Sequence, residues 1–171
     1  MSRAFPFLLI ALSSSPGSRT LHAQTTTPAD PTVVATVQRL FDAMAAHDTA
    51  AARSLLVPGT RFVSISNDTG PGIPRIQGDS AFLRMLAGRS DRLLERMWSP
   101  VVRVQGRIAS VWTPYDFHVG GRFSHCGIDA VTLLRTDAGW RIAGLVYTVQ
   151  RTGCAPSPLG PPADTPRAPT R

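Results

Sequence analysis

From residue 30 onward the chain runs through two hydrophobic periods in turn. Val33, Val34, Val37, Leu40, Phe41 and Met44 recur at three- and four-residue spacing, the apolar face of an amphipathic helix. Asp30-Pro31 supplies its start, because aspartate accepts at an N-cap and proline fits the first helical position. This helix should end near His47. Asp48 then caps a short second helix, Thr49 to Leu56, stopped by Pro58 and Gly59. Arg61 to Ser66 alternates and reads as a strand with Phe62 and Ile65 inward. NDTGPGIP is a loop, and Arg75 to Gln77 is a brief return strand. Gly78, Asp79 and Ser80 open a third helix through Phe82, Leu83 and Leu86 to Gly88.

Beyond Gly88 the period shortens to two. Leu93 to Gln105 reads as a strand interrupted at Pro100, and Arg107 to Val119 as the next. Gly120-Gly121 is a tight hairpin, since paired glycines accept the positive backbone angles such turns need. Arg122 to Thr136 follows, and Asp137-Ala138-Gly139 turns the chain into Trp140 to Arg151. The last three strands form a long antiparallel meander. Helices followed by such a sheet make an α+β domain. From Ala155 to Arg171 proline dominates, and the segment is expected to be disordered for want of apolar surface to bury.

The first residues change the picture of where the protein works. MSRAFPFLLIAL joins a basic start, Arg3, to an apolar run too short to cross a bilayer. A secretory signal over residues 1–23, removed after Ala23, fits this pattern. No cysteine follows to carry a lipoprotein anchor. Residues 24–29 would be a polar lead-in to a domain spanning 30–154. The expected location is therefore the periplasm or the extracellular space, with no membrane association after cleavage.

At 171 residues the chain has room for one domain with a real core. Its net charge of +7 comes from arginine alone. Those arginines stand singly, with no basic run and no interleaved aromatics, so nucleic acid is not an expected partner.

The chemistry is concentrated in FSHCGIDA, residues 123–130. If Val119 faces Arg122 across the turn, then Asp116 faces His125 and Trp112 faces Asp129. Alternation places Trp112, Asp116, His118, His125 and Asp129 on one face. A tight turn at Ala138 adds Tyr147 beside Asp129. Tyr115, Phe117, Cys126, Ile128, Trp140 and Ile142 fall on the other. A single bulge would shift all of this. In this register Asp116 would fix the tautomer of His125 and raise its basicity, as a general base requires. Asp129 and Tyr147 could hold a developing oxyanion or a second proton. The alternative is a structural Asp–His hydrogen bond with no catalytic part.

His118, His125 and Asp116 have donor types that suit zinc. No H-x-H or H-E-x-x-H spacing accompanies them, so no metal is assigned. Strand alternation points Cys126 away from His125, against a Cys–His couple. In an oxidising compartment Cys126 and Cys154 are expected to bridge. The register sets Cys126 opposite Gln150, and Gly153 lets the chain bend back. Trp98, Trp112, Tyr115 and His118 are the aromatic candidates for lining a ligand pocket.

FDAMAAHDTAAARSLL (41–56), IQGDSAFLRML (76–86) and the run from VWTPYDFHVGG to VYTVQRTGC (111–154) resemble the NTF2-like, or SnoaL-like, superfamily over about Asp30 to Cys154. The last of these resembles an often exported bacterial branch that mostly lacks assigned activity. The resemblance implies three N-terminal helices packed on a strongly curved, mostly antiparallel sheet, which together enclose a cone. It also implies a wide functional range: isomerases, dehydratases, cyclases, epoxide hydrolases, and non-catalytic binding or assembly domains. Fold alone does not choose among these.

Three readings follow. The first is an exported domain that binds a small, largely apolar ligand in its cone; Arg61 and Arg151 are either ordinary surface arginines or groups that meet an anion at its mouth. The second is a cofactor-free lyase or isomerase using Asp116, His125, Asp129 and Tyr147. The third is an assembly module that forms a homodimer through the open sheet face. The sequence has no glycine-rich phosphate loop, nucleophile elbow or zinc ribbon to support another class, and no cofactor is expected.

Overall fold

A computed structural model describes residues 30–68 and 70–163. The signal segment 1–23, the lead-in 24–29 and residues 164–171 lie outside the described residues. Helix α1 spans Pro31–Ala45, α2 Thr49–Leu55 and α3 Asp79–Ala87. The strands are β1 (Leu56–Ser66), β2 (Arg75–Gly78), β3 (Leu93–Met97), β4 (Val101–Gln105), β5 (Ile108–Val119), β6 (Arg122–Thr136) and β7 (Gly139–Val149).

The expected caps are in place. Asp30 accepts from Thr32 N at 3.0 Å, and Asp48 accepts from Ala51 N at 2.8 Å. Asp30 also takes the indole N–H of Trp140 at 3.1 Å, which ties the start of α1 to β7. Val33, Val37, Leu40 and Phe41 of α1, with Phe82, Leu83 and Leu86 of α3, bury against the inner face of the sheet. Burial of this kind is what stabilises helices too short to persist alone.

The sheet runs β2-β1-β7-β6-β5-β3, with β4 also paired to β5. Only the β1–β7 pairing is parallel. Strand β1 begins at Leu56, earlier than the Arg61 the alternation suggests. Pro58 and Gly59 lie where the β1–β7 register shifts between Leu56 and Arg61, so they bend a strand as well as ending a helix. The break at Pro100 separates β3 from β4, and both pair with the long β5.

Gly120 and Gly121 adopt φ of 57° and 76°. These angles suit a two-residue hairpin of the kind the glycine pair implied. Val119 pairs with Arg122 and His118 with Phe123 as expected. Then the register shifts: Phe117 pairs with His125, and Ser124 is the extra residue of a bulge.

Cys126 and Cys154 form a disulfide with Cα atoms 6.2 Å apart, and Cys126 bridges to Gln150 as the register anticipated. Closing a loop of this length is worth on the order of 3 kcal/mol in the chain-entropy account. The bond carries the chain back across the sheet. The proline-rich segment, expected to be disordered from residue 155, is described through residue 163, where it lies back against the sheet. Arg96 Nη1 donates to Gly160 O at 2.9 Å, and Gly160 N donates to Ser157 O at 3.1 Å. A polar anchor on the sheet supplies what the segment's own composition lacks. No helix among the described residues is long and apolar enough to cross a membrane.

Candidate functional site

The bulge at Ser124 decides which side chains meet. Downstream of it every β6 residue is displaced by one relative to β5. Asp116 therefore opposes Cys126 rather than His125, and Trp112 opposes Ala130 rather than Asp129. The expected Asp116–His125 couple does not form. His125 and Asp129 turn to the inner, helix-covered face, where Tyr147 pairs with Asp129 as anticipated. Tyr115 and Phe117, assigned to the opposite face, join them. Trp112, Asp116 and His118 stay on the outer face with Cys126.

The inner face bounds a cavity of about 420 Å³ between the sheet and the helices. That volume lies within the range of small-molecule sites. Leu40, Phe41 and Met44 of α1 form part of its apolar wall, with Phe82 and Met85 of α3. Phe62 and Phe82 stack at 4.3 Å between ring centroids. Tyr115, Tyr147, His125, Ser124 and Glu95 bring polar atoms to the sheet side.

Glu95 is the acid the sequence reading missed. It lies on β3 between Leu93 and Met97 and opposite Phe117, at a position whose neighbours on the same face are apolar. Asp129 is fully buried next to it, and neither Asp129 oxygen has a hydrogen-bond partner among the described residues. The charge of one carboxyl acts on the other. Burial pushes Glu95 well above the usual carboxylate range, and the charge of Asp129 pushes it further the same way. Burial raises Asp129 as well, partly offset by the neighbouring Glu95 carboxyl. Among the described residues no cation pairs with either carboxyl, and a raised pKa is the expected response to a second buried charge. Glu95 lines the cavity, whereas Asp129 lies behind it.

The two tyrosines and His125 form an aromatic group on the same face. The Tyr115 hydroxyl donates to Thr148 O at 2.8 Å, and burial raises its pKa. Its ring passes over Gly127, where a Cβ would lie 2.8 Å from Tyr115 Cε1 and collide with the Thr148 carbonyl. Tyr147 meets Tyr115 edge-on at 6.5 Å, and burial raises its hydroxyl too. His125 packs against Phe117 at 4.9 Å, with Nδ1 3.0 Å from Ser124 Oγ. Burial, helped by the charge of Arg151, lowers its pKa to about 4. The imidazole is thus neutral at physiological pH and has no carboxylate behind it, unlike the general base expected from the sequence.

The outer face holds a different cluster. Arg96 Nε and Nη2 reach the two oxygens of Asp116 at 2.8 and 2.5 Å, a bidentate pair. His118 Nε2 lies 3.4 Å from Asp116 Oδ1, and neither ring nitrogen makes a well-formed hydrogen bond. Burial lowers the pKa of His118. The folded-back 155–162 segment, the disulfide, Trp98 and Phe123 close around this group. Of the four expected pocket-lining residues, only Tyr115 reaches the inner cavity. Trp98 and His118 lie in the outer cluster, and Trp112 is 57% exposed on the outer face.

The inner cavity opens into a neighbouring cleft that shares Phe62, Gln77, His125, Tyr147 and Arg151 with it. Arg89 and Arg151 line the cavity, and Arg151 and Arg75 line the cleft. Arg61, also expected at the mouth, lines neither.

No family model matches the sequence, and no curated protein matches it. Solved structures do match its fold. A protein from Cytophaga hutchinsonii, described as NTF2-like, superposes with a TM-score of 0.59 at 10% identity, over 70% of this chain and 96% of that one. An NTF2-like protein of unknown function from Silicibacter pomeroyi gives a TM-score of 0.51 at 23% identity, over 68% and 92%. A proposed dehydratase of the NTF2-like family from Streptomyces avermitilis gives 0.53 at 18%, over 68% and 92%. At these identities the likeness is one of fold.

Proposed function

The chain has the NTF2-like fold, and on that premise we propose that it binds a small, largely apolar ligand in the cone. The ligand's inner end carries an oxygen that accepts a hydrogen bond from Glu95. The observation that carries this reading is a 420 Å³ cavity with apolar helix walls and one buried carboxyl in its lining. A protonated carboxyl in an apolar site donates a strong, directional bond to a carbonyl or hydroxyl. The disulfide is compatible with a protein matured in an oxidising compartment, and we place its site of action outside the cytoplasm. The test is fluorescence titration with the neutral probe N-phenyl-1-naphthylamine. Saturable enhancement is expected, weakened about tenfold or more when Met85→Trp fills the cavity. Absence of saturable binding to the unaltered protein would sink the reading.

A second reading, a cofactor-free lyase or isomerase, has the Glu95–Asp129 pair as its specific support. A neutral Glu95 can protonate a departing hydroxyl or a carbonyl oxygen, and the carboxylate left behind can take a proton from a neighbouring carbon. Asp129 positions that exchange, and Tyr147 offers a second donor. Asp116 takes no part, because it lies on the other side of the sheet. Ordinary carboxylate titration of both acids would remove this reading. The assembly reading rests on Trp112, Val101 and Val146, each more than half exposed on the sheet. The subunit count in native mass spectrometry tests it.

A further inference from the structure

Resting on the binding reading above, we propose that the cone selects an amphipathic anion: an apolar body for the cavity, with one carboxylate, sulfonate or similar acid group held at the arginine-lined rim. The polarity of the cavity is graded along its length. Its walls are apolar, and the acid in its described lining, Glu95, is buried with its pKa raised well above the usual carboxylate range, which weakens the negative charge the interior presents to an anion. The charged groups at the opening are all positive apart from one that is already used. Arg89 and Arg151 border the cavity and Arg75 the adjoining cleft. Asp68 lies beside Arg151 and is engaged in fixing it.

That engagement gives the rim a built geometry. Asp68 Oδ1 accepts from the backbone N–H of Arg151 at 2.9 Å, and its Oδ2 accepts from Arg151 Nη1 at 3.2 Å. The guanidinium is thereby held beside His125 with its other N–H groups uncommitted. Neutral His125 adds no competing charge. The side chain of Arg89, at the end of α3, makes no hydrogen bond or ion pair among the described residues. A guanidinium is suited to an oxyanion here because its planar fork can bind two oxygens at once. Gln77 and the Ser124 hydroxyl line the same opening and can complete the shell.

The experiment compares two probes with one scaffold. 1-Anilinonaphthalene-8-sulfonate carries a sulfonate; N-phenyl-1-naphthylamine lacks it. The sulfonate is expected to bind about tenfold more tightly, and its advantage should shrink between 0.05 and 0.5 M NaCl (on the order of a Debye length's change). In Arg89→Gln/Arg151→Gln the sulfonate should lose that advantage while the neutral probe keeps its affinity, which also shows that the variant is folded. If Arg151→Gln disturbs the fold through Asp68, Arg89→Gln alone should give part of the same loss. Equal affinity of the two probes overturns the anion proposal and leaves cone binding intact. A sulfonate preference that survives Met85→Trp places the anion outside the cone and overturns it as well. Failure of both probes to bind is failure of the binding reading itself.

Discussion

Asp116 and Asp129 lie on neighbouring strands, are both shut away from water, and solve the same problem in opposite ways. Asp116, on the outer face, is met by both arms of Arg96 and sealed under the returning C-terminal segment. Asp129, on the inner face, has neither an ion pair nor a well-formed hydrogen bond on its oxygens among the described residues, only Glu95 beside it. A buried carboxylate needs either a counter-charge or a proton. The outer cluster uses the counter-charge and is thereby chemically quiet. Both pKa values of the inner pair are raised, which favours the proton instead, and in the proposed reading that proton is the group offered to a ligand. The difference separates a structural ion pair from a candidate site, although composition alone makes the two aspartates look alike.

The comparison breaks most visibly on the outer face. Arg96→Met should leave Asp116 buried without its cation and cost about 3–5 kcal/mol, measured as the shift in the urea midpoint. The double variant Arg96→Met/Asp116→Leu should recover much of that loss, because both charges then disappear together. If the single change costs under about 0.5 kcal/mol, the value for an ordinary surface site, the outer pair is not the fastening described.

A smaller effect sharpens the inner side. Glu95 has a folded-state pKa raised above its ordinary 4.5. The folded state therefore holds a proton that the unfolded chain has released above that pH. Its contribution to stability is fully present below about pH 4.5 and is lost as pH rises through the raised value. Glu95→Gln keeps a neutral group in place and should flatten this loss. The stability gap between the variant and the parent protein should widen in the variant's favour from pH 5 to pH 8, by at most about 1.4 kcal/mol per pH unit. His118 and His125, whose lowered values act in the opposite sense below pH 6.5, cancel in that difference. A gap that does not change with pH would mean Glu95 titrates normally.

Much of this architecture was legible before any coordinates. The stripe from Val33 to Met44, the caps at Asp30 and Asp48, and the Gly120-Gly121 turn are local signals, and local interactions carry them out. The pairing of Tyr147 with Asp129 and the approach of Cys126 to Gln150 agree with counting back from a turn at Ala138, although the turn itself pairs Thr136 with Gly139 and a register shift between Thr132 and Leu133 restores the count. The site itself was not legible for one reason. The bulge at Ser124 has no distinctive residue, yet it inverts the facing of everything beyond it, which moved His125 away from Asp116 and brought Tyr115 and Phe117 inward. Glu95 left a usable trace, an acid at the inward position between Leu93 and Met97. The placing of residues 155–163 against the sheet left none, because it involves Arg96 bonding a carbonyl distant in sequence.

The most direct test of the central claim is the carboxyl carbon-13 shift of Glu95 and Asp129 followed by NMR from pH 3 to pH 9, assigned with Glu95→Gln. The account predicts that at pH 6 the pair still retains a proton, with the Glu95 carbon at its protonated shift and the two curves coupled. Two independent curves, each complete below pH 5, would place two ordinary carboxylates in the cone and contradict it.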